Sequence, residues 1–309
     1  MFLVLAALGS SSACCRQTDV GSRTAVVPMR VVTDDLDRIV TIPTKVARVV
    51  SLAPNLTENI FAVGAGDRLV GVTTFCNYPE AAKSIAKVGD TMTPNIETII
   101  ALKPDVVFVS TASQIETFMK TLEANGIAVY VTNPTRLDEV FHNLDQSGII
   151  FGTMDQSQKL IIELEDREWK IWKRLGTPAA RDEPPAEYDK RVGTVRVFVQ
   201  ISKEPLFTLG KDAFLNDLLL SAGGRSVTEN VASAYPKLSK ETALALQPEA
   251  IILSDSDDNK EPNDAFKNSP AVKNGRVYKL NADILSRPGP RLVDALEQIA
   301  HDLHPEKFN

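Results

Sequence analysis

Two hydrophobic rhythms alternate along this chain: short continuous apolar runs, and longer segments whose apolar residues recur at helical spacing. "MRVVTDDLDRIVTIP" places apolar runs on either side of Asp34 to Asp37, the pattern of a β-hairpin. "ARVVSLAPNLTENIFAVGA" reads as a strand at Val49 to Leu52, a helix opening near Pro54 and Asn55, and a stop at Gly64. A strand in "RLVGVT" comes next. In "NIETIIALKPDVVFVS", Asn95 caps a helix, Glu97 lies in its first turn, Pro104 ends it, and Val106 to Val109 form a buried strand. "QIETFMKTLEANG" is an amphipathic helix closing at Gly126, followed by the strand "IAVYVTN". Strands alternating with helices predict a mostly parallel sheet covered on both faces.

The alternation stops at residues 137–176, where helical spacing at Leu160, Ile161, Leu164, Trp169 and Trp172 predicts two helices or one bent helix, with Gly148 and Gly152 as bending points. Both tryptophans read as packing residues. "TPAARDEPPAEYDKRVG" reads as a Pro-rich, charged, solvent-facing loop. The alternation then resumes with the strand "TVRVFVQI", the helix "KDAFLNDLLLSAGG", the unit "SKETALALQPEAIILS", the strand "GRVYKLN", and a last helix from about Pro290 to Leu303. The unit at 239–254 repeats the grammar of the one at 95–110. Ser239 caps, Glu241 follows two residues later as Glu97 follows Asn95, and Pro248 breaks the helix as Pro104 does. A glycine then precedes the next strand in both halves, at Gly126 and Gly275. Two α/β lobes related by duplication are the simplest account. The expected segments are an N-terminal leader at 1–15, a tether at 16–28, a lobe at 29–136, a bridging helix and Pro-rich loop at 137–193, and a second lobe at 194–309.

Composition changes this picture mainly at the ends. The 309 residues suit two domains, and the net charge of -6 excludes a broadly basic nucleic-acid-binding face. "MFLVLAALGSSSACC" carries an apolar run too short for the roughly 20 residues of a membrane span, but of the length of a signal-peptide core. Small residues leading into Cys14 and Cys15 resemble a bacterial lipoprotein signal, in which a cysteine receives the lipid. The expectation is an exported, periplasmic or extracytoplasmic lipoprotein, held to the membrane by a lipid anchor only. With those two cysteines assigned, Cys76 has no internal disulfide partner.

Chemistry is hard to find. "TLGKDA" has neither the earlier glycine nor the Ser/Thr of a phosphate-binding loop, and no nucleotide-binding or nucleophile-elbow motif occurs. The three histidines, His142, His301 and His304, are poorly placed for a shared metal and read as surface or helix-end residues. A metal-dependent or carboxylate enzyme on a two-lobed scaffold is the weaker alternative. A cleft between lobes, lined by loops at strand C-termini, is the stronger expectation. Those loops offer Phe75, Cys76, Tyr78, Thr91, Met92, Ser110, Phe207, Tyr235 and Arg287 as candidate ligand contacts. The loop aromatics either face a flat, largely apolar ligand or plug the core. Arg287 either neutralises an acid or caps its lobe, and Cys76 either approaches a metal in the ligand or is a small buried residue.

"RVVSLAPNLTENIFAVGAGDRLVGVTTFCNYPEAA", "NIETIIALKPDVVFVS" and "RPGPRLVDALEQIA" together resemble the periplasmic substrate-binding proteins of cobalamin and iron-complex ABC importers. "FTLGKDAFLNDLLLSAGG" and "YPKLSKETALALQPEAII" are similar to its cobalamin-binding branch. The resemblance runs from about residue 30 to the C-terminus, with Asp37 where glycine is usual. It implies an α/β fold of two Rossmann-like lobes with parallel sheets flanked by helices, bridged by one long backbone helix. It also implies a monomer with limited hinge motion, no catalysis and no cofactor. The implied cargo is a corrinoid, with a ferric siderophore or haem as the alternative, and the implied partner is the importer's permease dimer with its ATPase. Family members place one glutamate per lobe against arginines of the two permease subunits, and Glu97 and Glu241 fall at those positions. Phe75 and Tyr235 match aromatic positions of the family's pocket and Phe207 a phenylalanine of its pattern, while Thr91, Ser110 and Ile284 stand where tryptophans occur.

Overall fold

The computed structural model describes residues 27–111, 116–176 and 184–308. The leader with Cys14 and Cys15 and nearly all of the tether therefore lie outside the described residues. Strands β1 (Met29–Thr33) and β2 (Ile39–Pro43) form the expected antiparallel hairpin. The Asp34 carboxylate accepts the backbone N–H groups of Leu36 and Arg38 to close its turn. Asp37 adopts φ 56, a left-handed conformation that explains why glycine suits this position.

The first lobe follows as β3 (Val49–Ser51), α1 (Pro54–Ala62), β4 (Leu69–Val72), α2 (Ile96–Ala101), β5 (Val106–Ser110), α3 (Glu116–Ala124) and β6 (Ala128–Thr132). Its parallel sheet runs β4-β3-β5-β6. After α4 (Leu137–Phe151), α5 (Met154–Leu175) and α6 (Pro185–Val192), the second lobe contains β7 (Val195–Gln200), α7 (Leu215–Ser221), β8 (Gly224–Ser226), α8 (Lys240–Leu246), β9 (Ala250–Asp255), α9 (Pro270–Lys273), β10 (Val277–Asn281), α10 (Ala282–Ser286) and α11 (Leu292–Leu303). Its parallel sheet runs β8-β7-β9-β10, the same topology.

The repeat extends to backbone detail. Asn95 accepts a hydrogen bond from the Thr98 N–H at 2.9 Å, and Ser239 accepts one from Thr242 at 3.1 Å. Helices α2 and α8 both end on a non-glycine residue in the left-handed region directly before a proline, Lys103 at φ 48 and Gln247 at φ 44. A proline disfavours helical backbone in the residue preceding it, so both helices stop at the same point. Gly126 and Gly275, which lead into β6 and β10, are both at positive φ. Replacing either cap by alanine is expected to cost about 1 kcal/mol, read as a lowered urea midpoint with unchanged slope.

Period-2 alternation divides each strand between two cores. On one face of the first sheet, Val50, Val107 and Val109 pack with Ile99 and Leu122. On the matching face of the second, Phe198, Ile251 and Leu253 pack with Ala243 and Phe266. The opposite faces share one continuous core, from Val49, Val106 and Phe108 through Leu144, Leu164 and Ile171 to Val197, Ile252 and Leu296. The two lobes are thus joined by α4, α5 and α11 through buried apolar surface, not by a hinge peptide alone.

Two expectations are corrected, the helix-free Pro-rich loop and the packed Trp169. The expected pair of helices at 137–176 is present: Gly152, at φ 66, ends α4, and α5 starts afresh two residues later. A side chain at Gly148 would collide with Ser157, so the two helices can cross this closely only at glycine. Helix α5, about 33 Å long by its residue count, carries the bridge. Arg167 pins it to α11 through Asp294 and Glu297, each at 2.6 Å. The Pro-rich loop contains α6, because Pro185 at the first helical position, Glu187 in the first turn and Lys190 and Arg191 in the last are helix signals outweighing the loop-like composition. Tyr188 and Val192 are buried beneath it. Trp169 is 52% exposed, with the Lys173 ammonium over its ring, and does not serve as core packing. No helix among the described residues is long and apolar enough to cross a membrane.

Candidate ligand-binding cleft

A cavity of about 640 Å³ opens between the lobes at the C-terminal ends of the strands. Ala53 to Asn55 enter it after β3, Ser110 at the end of β5, Asn133 to Thr135 after β6, and Asp283 and Leu285 to Pro288 after β10. Parallel strands ending together leave their loops on one side, and two lobes facing each other turn that side into a cleft.

Five candidate contacts line it: Phe75, Thr91 and Ser110 from the first lobe, Tyr235 and Arg287 from the second. Phe75 and Tyr235 are 58% and 50% exposed, so their rings are available rather than used to plug a core. Four candidates lie outside its walls. The Cys76 thiol is buried, accepting a hydrogen bond from the Thr57 hydroxyl at 3.1 Å and lying 3.1 Å from that of Thr73. The Thr57 hydroxyl also lies 2.8 Å from that of Ser51, so the sulfur belongs to a hydroxyl network inside the lobe. Of the two readings of Cys76, that geometry fits the small buried residue. Tyr78 lies under the Arg291 guanidinium, 4.1 Å from its ring centroid. Phe207 is half-buried, bridging the backbone of Ser202 and Lys237. Met92 is exposed, its N–H donated to Asp90.

Among the wall residues that sequence reasoning passed over, Phe214 and Asp212 matter most. Phe214 sits in a segment that reads as helix, but α7 begins only at Leu215 and leaves Phe214 at its N-cap. Asn133 and Thr135 follow β6, and the rule that ligands gather at strand C-termini was signal enough to find them. Charge is unevenly matched. Arg287 is the one cationic residue in the described wall, and its guanidinium is already engaged by Glu58 at 2.8 Å and Asp283 at 2.7 Å. Asp212 has no such counterion among the described residues. The histidines contribute no metal site: His304 is buried with its ring nitrogen 3.0 Å from the Gly223 carbonyl oxygen, and His301 packs on Phe308. No group of ligating side chains among the described residues has metal-binding geometry.

Glu97 and Glu241 are exposed and flank the cleft in equivalent ways. Thr91 and Tyr235 line the cavity, a helix cap lies four residues after each, and the glutamate two residues after the cap. Both helices run back antiparallel to the strands they feed, so their N-termini stand on the cavity side. Its own backbone N–H and Ser239 hold the Glu241 carboxyl below the usual range.

Two pseudo-symmetric α/β lobes, a helical bridge and a cleft open between the lobes are the architecture of a solute-binding protein. The profile of the periplasmic binding protein family matches residues 49–284, and the chain belongs to that family, whose members bind and carry ligands and are not enzymes. It is 31% identical over 267 residues to the vitamin B12-binding protein of Vibrio cholerae, covering 83% of this chain and 89% of that one. The crystal structure of the periplasmic vitamin B12 binding protein BtuF of Vibrio cholerae aligns with a TM-score of 0.71 at 27% identity, over 86% of this chain and all of that one. An uncharacterized ABC transporter substrate-binding lipoprotein, YvrC of Bacillus subtilis, is 31% identical over 292 residues, 93% of this chain and 88% of its own. A periplasmic heme binding protein of Pseudomonas aeruginosa shares the fold, with a TM-score of 0.71 at 24% identity over 84% of this chain and 93% of that one.

Proposed function

We propose that the protein captures a corrinoid in its interlobe cleft and delivers it to the permease dimer and ATPase of an ABC importer. A lipidated Cys14 or Cys15 holds it at the outer face of the membrane. The observation that carries the ligand class is the charge of the cavity wall. A haem or a ferric siderophore brings ionised acids and calls for free cations, whereas Arg287 is spent on Glu58 and Asp283. A corrinoid presents peripheral amide donors and a broad apolar face. Asp212, Asp283 and Asn133 can accept the former, and Phe75, Phe214 and Tyr235 can pack on the latter. The likeness to the Vibrio cholerae vitamin B12-binding protein supports the same choice, and the name of YvrC supports the lipid anchor and the importer.

Isothermal titration with cyanocobalamin, dicyanocobinamide, hemin and a ferric siderophore tests the reading. Both corrinoids are expected to bind with Kd below about 10 μM, equivalent to about -7 kcal/mol, and hemin and the siderophore more weakly. Tighter binding of hemin or the siderophore than of either corrinoid would transfer the assignment to that class.

A further inference from the structure

Helix α1 turns a polar face toward the second lobe, and that face is buried. Asn55, Glu58 and Asn59 are 5%, 4% and 4% exposed. Pressed against it is the turn "RPGPR". Arg287 donates to Glu58 Oε1 at 2.8 Å and to Asn77 Oδ1 at 2.7 Å, while its other terminal nitrogen meets Asp283 Oδ1 at 2.7 Å. Arg291 grips both oxygens of the same glutamate, from Nε to Oε2 at 2.8 Å and from Nη2 to Oε1 at 2.7 Å. Asn77 closes the ring by donating to Asp283 Oδ2 at 3.1 Å. Glu58, Asn77 and Tyr78 come from the first lobe, and Asp283, Arg287 and Arg291 from the second. Two carboxylates meet two guanidiniums, so the network is charge-balanced.

Such a network is sensitive to position. Removing Glu58 and Arg287 from water is costly, and the attraction among the four charges offsets that cost only while the forked hydrogen bonds keep their geometry. An apolar contact of the same size would tolerate sliding, and this one does not. The turn is built for the task. Pro288 and Pro290 restrict the turn between the two arginines. A Cβ on Gly289 would stand 3.1 Å from Asn59 Oδ1, so glycine permits the close approach. Arg287 and Asn55 also form part of the cavity wall, so whatever fixes this interface fixes the width of the cleft.

We propose that Glu58 is a positioning residue: it latches the two lobes at one angle and holds Arg287 in the cavity wall, so the ligand meets a preformed site. The effect on ligand rests on the corrinoid reading, whereas the latch itself does not.

The test compares the full chain with Glu58→Gln, Arg291→Gln and the double variant Glu58→Gln/Arg291→Gln by hydrogen exchange, small-angle scattering and cyanocobalamin dissociation. Glu58→Gln preserves shape but leaves two guanidiniums facing a neutral amide. Amides of α1 and of the first turn of α11 are expected to exchange at least tenfold faster while those of β5 and β9 hold their rates. The scattering profile should indicate a more open pair of lobes, and cyanocobalamin should leave about tenfold faster. The double variant removes one of the stranded charges and should recover part of each loss, which a simple packing defect would not. Arg291→Lys, which keeps the charge and loses the fork, should fall between parent and Glu58→Gln, and it serves if the latter does not fold. Unchanged exchange and scattering in Glu58→Gln, or no recovery in the double variant, overturns the latch. If that variant does not fold, parent-like exchange and scattering in Arg291→Lys overturns it. Failure of cyanocobalamin to bind the parent overturns the corrinoid reading and leaves the latch to be decided by exchange and scattering.

Discussion

At pH 8 the Glu168→Gln variant is expected to be more stable than the parent chain by about 3 kcal/mol, and at pH 4 to match it. Glu168 lies on the bridging helix α5 and is 8% exposed. Burial, then the charges of Asp217, Asp138 and Glu165, push its carboxyl up from the ordinary 4.5 to about 7. Asp217 on α7 is itself raised by burial. Below about pH 4.5 the group is protonated whether the chain is folded or not, and it contributes nothing. Between about 4.5 and 7 the folded chain keeps a proton that the unfolded chain has released, so stability falls as pH rises. Above 7 both states are ionised and the full penalty, about 3 kcal/mol, persists. Glutamine removes the titration and should flatten that part of the profile. Urea unfolding at pH 4, 6 and 8 measures it, and an equal offset at all three values would exclude this origin.

The second large effect is expected in transport. If each permease subunit offers arginines to one lobe, Glu97→Ala and Glu241→Ala should each reduce uptake about tenfold, and the double variant by a hundredfold or more. A tenfold loss is about 1.4 kcal/mol per site, below the roughly 2–5 kcal/mol of a fully desolvated charge pair, and the two sites lie on different lobes and act independently. Affinity for the ligand should not change, because neither glutamate lines the cavity. The alanine variant of the neighbouring cap Asn95 provides the control: it weakens helix α2 and leaves the Glu97 carboxylate in place. Uptake by the double glutamate variant at the parental rate would show that the two carboxylates merely stabilise their own helices.

Much of the architecture was legible along the chain, for a physical reason. Strand and helix periods, caps and proline stops act over a few residues, so Asn95, Ser239, Pro104 and Pro248 could be read without knowing what they pack against. The repetition of that local grammar implied two like lobes, and Asp37 marked a turn even without its glycine. The failures also have physical causes. Gly148 and Gly152 were both legible as bending points, but only the left-handed backbone of Gly152 shows that α4 and α5 are two helices and not one bent helix. Helix α6 was hidden because prolines and charges describe both a loop and a helix start.

The candidate site divides in the same way. Sequence alone determined which loops end at the strand C-termini, and those loops supplied Phe75, Thr91, Ser110, Tyr235 and Arg287 of the cavity wall along with four candidates that lie outside it. It determined the matched placement of Glu97 and Glu241, because cap and carboxylate lie within three residues. The tertiary structure alone decided what each side chain faces across the lobes. Cys76 turned inward to Thr57 and Thr73, Phe214 turned out to the cavity, and Arg287 and Arg291 converged on Glu58 from more than two hundred positions away. Local pattern specifies backbone conformation, whereas charge pairing and burial depend on distances that exist only once the two lobes have docked.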